Sequence, residues 1–227
     1  MCGHCGCDVP VVPRRIDLQR NLLERNDNQA LLNRLHFSEH GLLAVNLMSA
    51  PGSGKTALLE ELARRWPQRP LGVIVGDLAT DNDARRLQQA GARAHQIRTG
   101  DLCHLEASQV ALAFAQLEHS GMNLLVIENV GNLVCPAAFD LGESLRLVLF
   151  SVTEGEDKPL KYPGLFQRAD AVVISKIDLA EAAGFDRQLA LDNLQAVAPH
   201  AQLFETSARS GAGLAALLGW LQDALPT

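Results

Sequence analysis

The sequence has no long hydrophobic run and no excess of positive charge, and each absence excludes a class of protein. No uninterrupted apolar stretch reaches the roughly 18 residues of a membrane-spanning helix, so we predict no membrane partner. The 20 Lys and Arg residues are outnumbered by 26 Asp and Glu residues, which gives a net charge of −6. Nucleic-acid-binding domains usually carry a basic footprint, so we expect no nucleic-acid partner. The first residues also lack the basic-then-apolar pattern of a secretory signal, so we expect a cytoplasmic protein.

Cysteines are few and odd in number, which argues against a disulfide framework. Of the five, Cys2, Cys5 and Cys7 lie within the first seven residues. Cytosolic thiols stay reduced, so metal binding or catalysis becomes the expected use. Three neighbouring thiolates can bind one soft or borderline cation without a fold behind them. We interpret them as a metal site; the alternatives are an idle tail and a redox pair, which normally lies between a strand and a helix.

Strand and helix patterns alternate from residue 42 onward. Apolar segments typical of strands lie at 42–48, 72–75, 94–97, 123–128, 145–152, 171–175 and 201–204. Helical patterns lie at 57–66, 81–90, 105–118 and 214–225, with one or two further helices between Ile16 and Phe37. Near-continuous apolar strands are typical of a parallel sheet that is covered on both faces. The predicted fold is therefore α/β, with a mostly parallel sheet flanked by helices.

The segment from Ser49 to Thr56, Ser-Ala-Pro-Gly-Ser-Gly-Lys-Thr, predicts a phosphate-binding loop and hence a P-loop NTPase fold. It lies between the first predicted strand and a helix, which is the context that a P-loop requires. We expect Lys55 to reach the β and γ phosphates and Thr56 to bind Mg²⁺. Ser49 replaces the first glycine of the usual pattern, and we expect little change in loop geometry. The predicted nucleotide-binding residues of this loop are Gly52, Ser53, Gly54, Lys55 and Thr56.

Two later segments favour GTP and GDP over adenine nucleotides. Residues 175–178, Ser-Lys-Ile-Asp, resemble the guanine-reading Asn-Lys-x-Asp element of GTPases, with Ser175 in place of Asn. The Asp178 carboxylate can accept two hydrogen bonds from guanine that adenine does not offer. We expect Lys176 to lie along the face of the base. Ser207 and Ala208 follow the last predicted strand and resemble the loop whose backbone N–H meets guanine O6.

Hydrolysis needs Mg²⁺ and a positioned water, and two carboxylates follow predicted strands. We assign Asp77 to Mg²⁺ or to the attacking water. Glu128, with a glycine three residues on where GTPases have Asp-x-x-Gly, is assigned to the outer sphere of Mg²⁺. Together with Lys55, these are the predicted catalytic residues. The alternative, that a carboxylate caps a loop or helix, fits Asp81 and Asp83 better because they begin a helix.

A second metal site is suggested by Cys103, His104 and Cys135. Two thiolates and one imidazole suit Zn²⁺ or Ni²⁺. Cys135 shares a loop with Glu128, so such a site would respond to the γ-phosphate as switch loops do. The alternatives are that the cysteines are ordinary buried residues and that His104 caps the following helix.

In combination, these motifs resemble the family of hydrogenase nickel-incorporation GTPases, HypB. The resemblance covers nearly the whole chain and rests on the N-terminal Cys-x-x-Cys-Gly-Cys and on residues 49–56, 76–84, 103–105 and 128–136. It implies a GTP-hydrolysing nickel metallochaperone that forms a homodimer around nucleotide. It further implies that the protein helps deliver Ni²⁺ to the large-subunit precursor of [NiFe]-hydrogenase, together with a HypA-type accessory protein.

The resemblance also implies a role for each group of cysteines. The N-terminal cysteines match the tight nickel site of the family. Cys103, His104 and Cys135 match a weaker zinc or nickel site at the dimer interface. Many relatives carry a histidine-rich stretch, but the seven histidines here are scattered along the sequence, so we do not expect bulk nickel storage.

The predicted organisation is a Cys-rich metal-binding tip and linker at 1–13 and a GTPase domain at 14–227, which begins with helices at 14–40. No arginine finger is evident, so we expect slow intrinsic turnover. Alternative functions are a urease-type or cobalamin-type accessory GTPase, a metal storage or sensor protein with incidental nucleotide binding, and a small-molecule kinase. The N-terminal cysteines argue against the first and have no role in the last.

Overall fold

A computed structural model describes residues 13–67, 69–77, 82–100 and 102–226 of the chain. For residues 13–20 and for Asp77 it describes the backbone alone. The predicted N-terminal metal site at Cys2, Cys5 and Cys7 lies outside the described residues. The same holds for Asp81.

The described chain contains a seven-stranded sheet in the order β3-β2-β4-β1-β5-β6-β7. All neighbouring strands are parallel. The strands are β1 Leu43–Ser49, β2 Gly72–Asp77, β3 Arg93–Arg98, β4 Leu124–Glu128, β5 Leu145–Ser151, β6 Ala171–Ser175 and β7 Gln202–Glu205. Each predicted strand is present, with its ends displaced by at most two residues. The prediction of an α/β fold with a parallel sheet is confirmed.

Helices cover both faces of the sheet. They are α1 Pro13–Glu39, α2 Lys55–Arg65, α3 Asn82–Gln89, α4 Ala107–Gln116, α5 Lys158–Lys161, α6 Pro163–Phe166, α7 Arg187–Val197 and α8 Leu214–Asp223. Short 3-10 turns lie at Cys135–Ala138, Val152–Glu154 and Ile177–Leu179. Of the two interpretations of the N-terminal segment, the structure has one continuous helix, α1. Among the described helices, none combines the length and apolar character needed to cross a membrane.

Burial on both faces explains the apolar strands. Every residue of β1, β4 and β6 is buried. On one face, Val45 of β1 packs in a cluster with Leu58 of α2. On the other face, the adjacent Ala44 packs in a cluster with Phe37 of α1 and Phe114 of α4. Because helices cover both faces of the sheet, these strands are largely apolar on both faces and do not alternate between apolar and polar residues.

Two buried asparagines attach α1 to the start of α4 and to the loop before β5. The Asn26 side chain donates to Asp140 O at 2.7 Å and accepts from Ala107 N at 2.9 Å. Asn33 donates to Ala107 O at 2.8 Å and to Leu141 O at 3.0 Å. These contacts fix α1 against α4, since a buried amide that loses its partners is costly.

Candidate nucleotide and metal sites

The predicted phosphate loop joins β1 to α2 at the carboxyl edge of the sheet. Gly54 caps α2 with φ 100°, a conformation that residues with a side chain rarely adopt. The Lys55 ammonium donates to Ser49 Oγ at 2.9 Å. The Ser49 hydroxyl in turn donates to Ala50 O at 2.7 Å. Serine at the first position therefore gives Lys55 a polar contact that glycine would not.

A cavity of about 500 Å³, which we call the phosphate cavity, opens beside this loop. Its walls include Gly52, Gly54, Lys55, Thr56, Gly76, Asp83, Arg86, Glu128, Gly131 and Lys176. Thr56 Oγ1 donates to Glu128 Oε1 at 3.1 Å, and Glu128 is buried. A hydroxyl beside a carboxylate provides the hard oxygen donors that Mg²⁺ prefers, so these residues fit that ion.

The backbone of Asp77 ends β2 at the same edge of the sheet. β2 pairs with β4, and Val75 lies in register with Glu128. Asp77 comes two residues after Val75, so its backbone lies two residues beyond the level of Glu128 on the neighbouring strand.

Arg86 lines the phosphate cavity, and no motif in the sequence pointed to it. Its guanidinium bonds to both carboxylate oxygens of Glu60, at 2.9 and 3.1 Å, and to Asp83 at 3.3 Å. The hydrogen bond to Glu60 raises the pKa of Arg86, while burial opposes that shift. Asp83 lies in the first turn of α3, as expected. Glu60 lies on α2 and Arg86 on α3, so the pair joins residues that are far apart in the sequence. For this reason no sequence motif predicts it.

A second cavity of about 230 Å³, the base pocket, shares Gly54, Ala57 and Lys176 with the phosphate cavity. It is lined by Ser53, Gly54, Ala57, Leu58, Ser175, Lys176, Asp178, Leu179, Thr206, Ala208 and Arg209. Asp178 Oδ1 accepts a hydrogen bond of 2.6 Å from the buried Ser207 hydroxyl, which orients the carboxylate. The predicted base-binding segments after β6 and β7 therefore come together.

Lys176 and Ser175 attach the end of β6 to the phosphate loop. Lys176 has φ 59°, an uncommon conformation for a residue with a side chain, and its ammonium donates to Gly52 O at 2.6 Å. Ser175 Oγ donates to Ser53 O at 2.7 Å. In the sequence, Ser175 was interpreted only as the replacement of an asparagine that contacts guanine. Its hydrogen bond to Ser53 was not predicted.

Cys103, His104 and Cys135, which we call the thiol–imidazole set, come together although they lie on two separate loops. One ligand atom from each lies within 4.8 Å of the other two. Cys103 Sγ is 3.6 Å from His104 Nδ1, and the His104 ring stacks on Phe139. The N-cap of α4 is Glu106, so His104 does not cap this helix.

The donor atoms of this set fit a borderline metal cation, which the thiols bind after losing their protons. A hydrogen bond with Cys135 raises the pKa of the Cys103 thiol, and burial adds to the shift. Burial lowers the pKa of His104, which favours the neutral imidazole that a metal needs. The buried Nε2 of His104 has no hydrogen-bond partner within the described part of the chain. Two thiols and a neutral imidazole match the donors that Zn²⁺ and Ni²⁺ take.

A buried asparagine joins this set to the wall of the phosphate cavity. Asn129 follows Glu128, and its Oδ1 accepts from Val130 N at 2.9 Å and from Leu105 N at 3.3 Å. Leu105 directly follows His104. Two residues further on, a Cβ on Gly131 would lie about 3.0 Å from the Pro51 backbone, so this loop touches the phosphate loop.

The fold and these cavities define the class: a P-loop nucleotide-binding protein. Residues 43–205 match the family described as CobW/HypB/UreG, nucleotide-binding domain. The chain is 46% identical to hydrogenase maturation factor HypB of Rhizobium leguminosarum bv. viciae over 97% of its own length and 75% of that protein. It is 43% identical to hydrogenase/urease maturation factor HypB of Helicobacter pylori strain 26695, over 86% of its own length and 81% of that protein.

A solved structure gives the same result. The crystal structure of HypB from Helicobacter pylori in complex with nickel matches 88% of this chain and 94% of that one, with 42% identity and a TM-score of 0.84. The chain belongs to the HypB family of hydrogenase maturation factors.

Proposed function

We propose that this chain is a GTP-hydrolysing nickel metallochaperone that helps insert nickel into [NiFe]-hydrogenase during its maturation. One observation carries the proposal. The end of β4, at Glu128, and the loop after it, at Gly131, line the phosphate cavity, and the same loop supplies Cys135 to the thiol–imidazole set. A nucleotide and a metal cargo would therefore act on one short segment of chain.

The phosphate cavity is the proposed site of GTP hydrolysis. Lys55 contacts the β and γ phosphates, while Gly52, Ser53 and Gly54 provide backbone amides. Thr56 and Asp77 would hold Mg²⁺, with Asp77 placed either on the ion or on the attacking water. Glu128 would lie in the outer sphere of the ion, where it accepts a hydrogen bond from the Thr56 hydroxyl. Bound Mg²⁺ would neutralise charge that develops on the phosphates. The intrinsic rate is expected to be slow, because the nearby Arg86 is already paired with Glu60.

The base pocket is the proposed source of guanine selectivity. Asp178 accepts from guanine, Lys176 covers its face, and Ser207 and Ala208 approach O6. Ser207 supports this role because its hydroxyl fixes the Asp178 carboxylate at 2.6 Å. An adenine there would offer this carboxylate no matching pair of donors.

Nickel is the cargo of the proposed chaperone. Cys103, His104 and Cys135 form the proposed exchange site, which takes zinc or nickel. Cys2, Cys5 and Cys7 form the proposed tight nickel site, in a tip and linker at 1–13 that precede a GTPase domain at 14–227.

The proposed switch runs through Asn129 and Gly131. GTP would draw the loop after β4 toward the γ-phosphate and favour a homodimer, and hydrolysis would release it. Asn129 would carry the displacement to Leu105 and hence to His104. Linkage requires that metal at the thiol–imidazole set change GTP affinity by the same factor as GTP changes metal affinity.

The relatives support the proposed pathway. Proteins at 46% and 43% identity carry the names hydrogenase maturation factor and hydrogenase/urease maturation factor. We infer that the partners are a HypA-type accessory protein and the hydrogenase large-subunit precursor, in the cytoplasm, without nucleic acid or membrane. The second name also favours nickel delivery to urease as an alternative function.

Nickel titration followed by ultraviolet absorption tests the metal part of this proposal. We expect one tight thiolate-bound equivalent that a chain lacking residues 1–8 loses, and a weaker one that responds to a non-hydrolysable GTP analogue. Absence of a thiolate–nickel band in both proteins would refute nickel delivery.

Lys55→Ala tests the nucleotide part. We expect this variant to lose GTP hydrolysis and hydrogenase maturation in cells while it keeps nucleotide-free nickel binding. Intact maturation would instead favour a storage or sensor protein, and phosphate transfer by the wild type to an acceptor other than water would favour a kinase.

A further inference from the structure

Three of the seven histidines meet on the surface where α1 and α4 end. His36 lies in the last turn of α1, His40 directly follows that helix, and His119 follows α4. The ring centroids of His36 and His40 are 4.7 Å apart, and those of His40 and His119 are 4.6 Å apart. His36 and His40 are exposed and His119 is half-buried. We call this group the three-histidine cluster; its members are far apart in sequence.

The hydrogen bonds of two rings leave one nitrogen of each available for a ligand. His40 Nδ1 lies 2.8 Å from His36 O, and His119 Nδ1 lies 3.0 Å from Leu117 O. A carbonyl oxygen only accepts, so each neutral ring carries its proton on Nδ1 and its lone pair on Nε2. A ring N–H that donates to a backbone carbonyl is the usual support of a metal-ligating histidine.

The spacing of the rings suits a shared cation. With metal–nitrogen distances of about 2.1 Å, two imidazole rings bound at right angles to one ion have centroids about 4.5 Å apart. The observed 4.6 and 4.7 Å are close to this value. In the described part of the chain, the thiol–imidazole set is the one group whose ligand atoms already converge within 4.8 Å, so the three histidines must rotate to close on an ion. His36 and His40 are exposed, so their side chains can turn toward the half-buried His119 at little cost.

Aromatic contacts hold the rings near this arrangement. The buried Phe114 of α4 stacks on His119 at 4.7 Å and meets His36 and His40 edge-on at 5.2 and 5.8 Å. Since Asn33 anchors α1 to the start of α4, the backbone that carries His36 and His40 is fixed against the helix that His119 follows. The rings are therefore partly preorganised, which lowers the entropy lost when they bind a ligand.

We propose that His36, His40 and His119 form an imidazole-only binding site for a borderline divalent cation, Ni²⁺ or Zn²⁺. The site is separate from the thiol–imidazole set, because Cys103 precedes α4 and His119 follows it. The 10 residues of α4 span about 15 Å. Imidazole without thiolate suits these cations and exchanges them more readily than a set of thiolates. The site does not depend on GTP.

Equilibrium dialysis against Ni²⁺, and separately Zn²⁺, tests the proposal in a full-length chain whose five cysteines are all replaced by serine. We expect one bound equivalent of metal. His40→Gln should weaken its affinity by at least about tenfold, which is the smallest loss usually seen when an outer-shell partner of a metal site is removed. His200→Gln, which removes an exposed histidine elsewhere, is the matched control and should leave binding unchanged. Absence of binding by the thiol-free chain, or binding that survives both His40→Gln and His119→Gln, would overturn the proposal.

Histidine modification in the wild-type chain keeps the test decisive if the thiol-free chain folds poorly. Excess Ni²⁺ should protect His36, His40 and His119 from diethyl pyrocarbonate, read by mass spectrometry, while His200 stays reactive. Equal modification of His40 and His200 with and without metal would contradict the site. Neither measurement depends on GTP hydrolysis or on the thiol–imidazole set, so the proposed function can fail while this site stands.

Discussion

The nucleotide cavities and the thiol–imidazole set are constructed in opposite ways. The nucleotide residues follow directly from strand ends, and backbone geometry places them; Gly54 caps α2 and Lys176 occupies a left-handed conformation. The thiol–imidazole set combines two loops that lie on different sides of α4 in the sequence. Its polar connection to the sheet runs through Asn129. Parallel strands deliver their carboxyl ends to one edge, so the first kind of site is rigid while the second can respond to its surroundings.

The two sites also differ in charge. Lys55 supplies a fixed positive charge near the phosphate cavity. In the thiol–imidazole set, the raised pKa of Cys103 favours the neutral thiol and the lowered pKa of His104 favours the neutral imidazole. Binding a cation there must release thiol protons, so its affinity rises with pH. We therefore expect substitutions in the nucleotide cavities to change nucleotide affinity strongly and locally. Substitutions in the thiol–imidazole set should have smaller effects on metal affinity, and these effects should spread through the loop.

The largest expected effect concerns the base pocket. Asp178→Asn replaces the proposed acceptor for guanine by an amide that can also donate, so GTP affinity should fall by at least about a hundredfold and xanthosine triphosphate binding should appear. Ser207 can still donate to the new Asn oxygen, which keeps the loop in place. Competition titrations with GTP and xanthosine triphosphate measure the change. Unchanged GTP affinity would remove Asp178 from base recognition, and nickel binding to the nucleotide-free protein serves as the control.

The next effect concerns the thiol–imidazole set. Cys135→Ala removes a metal ligand and should weaken Ni²⁺ binding there by at least about tenfold, with nucleotide affinity in metal-free buffer unchanged. It also removes the hydrogen bond that raises the Cys103 pKa, so the Cys103 thiol should ionise at a lower pH. The thiolate–nickel band and the thiolate absorbance as a function of pH report the two effects. An unchanged Cys103 titration would show that the two sulfurs do not interact.

A third prediction concerns the connection between the sites. Asn129→Ala leaves Leu105 N without its side-chain acceptor and should lower the free energy of unfolding by about 1–3 kcal/mol. It should also reduce the factor by which the GTP analogue alters nickel affinity. Asn33→Ala is the control, because it removes another buried asparagine, on α1, that also makes two hydrogen bonds to the backbone, although as a donor. Equal coupling in the two variants would exclude Asn129 as the link.

The sequence predicted the strands and the segments that carry a recognisable motif, and it missed contacts between distant residues that belong to no motif. The phosphate loop and the strands depend on neighbouring residues, so Gly54, Lys55 and all seven strands could be anticipated. The bonds from Ser175 to Ser53 and from Arg86 to Glu60 join distant segments and left no periodic signal. The helix α7 was not predicted because few of its residues are buried: Ala190 and Leu194. The histidines are scattered in the sequence, yet three of them are neighbours in space.

The smallest expected effect concerns the loop that carries Cys135 onward to β5. Burial alone would raise the pKa of Asp140, but hydrogen bonds from Arg34 Nη2, at 2.8 Å to Oδ2, and from Gly142 N, at 2.8 Å to Oδ1, bring it below its usual value. A carboxyl group whose pKa is lowered by folding stabilises the protein above its unfolded pKa, and this contribution is lost as the pH falls through the folded pKa.

Both side chains are partly exposed, so Arg34→Met should lower the free energy of unfolding at pH 7 by only about 0.5 kcal/mol. The difference should shrink as the pH falls below the ordinary aspartate pKa. Denaturant unfolding at pH 7 and at acid pH measures it. Lys161→Met, which removes the partner of Asp157 in an exposed pair across α5, is a control expected to show no change. A pH-independent difference would assign the loss to the packing of the Arg34 stem on α1 instead of its charge.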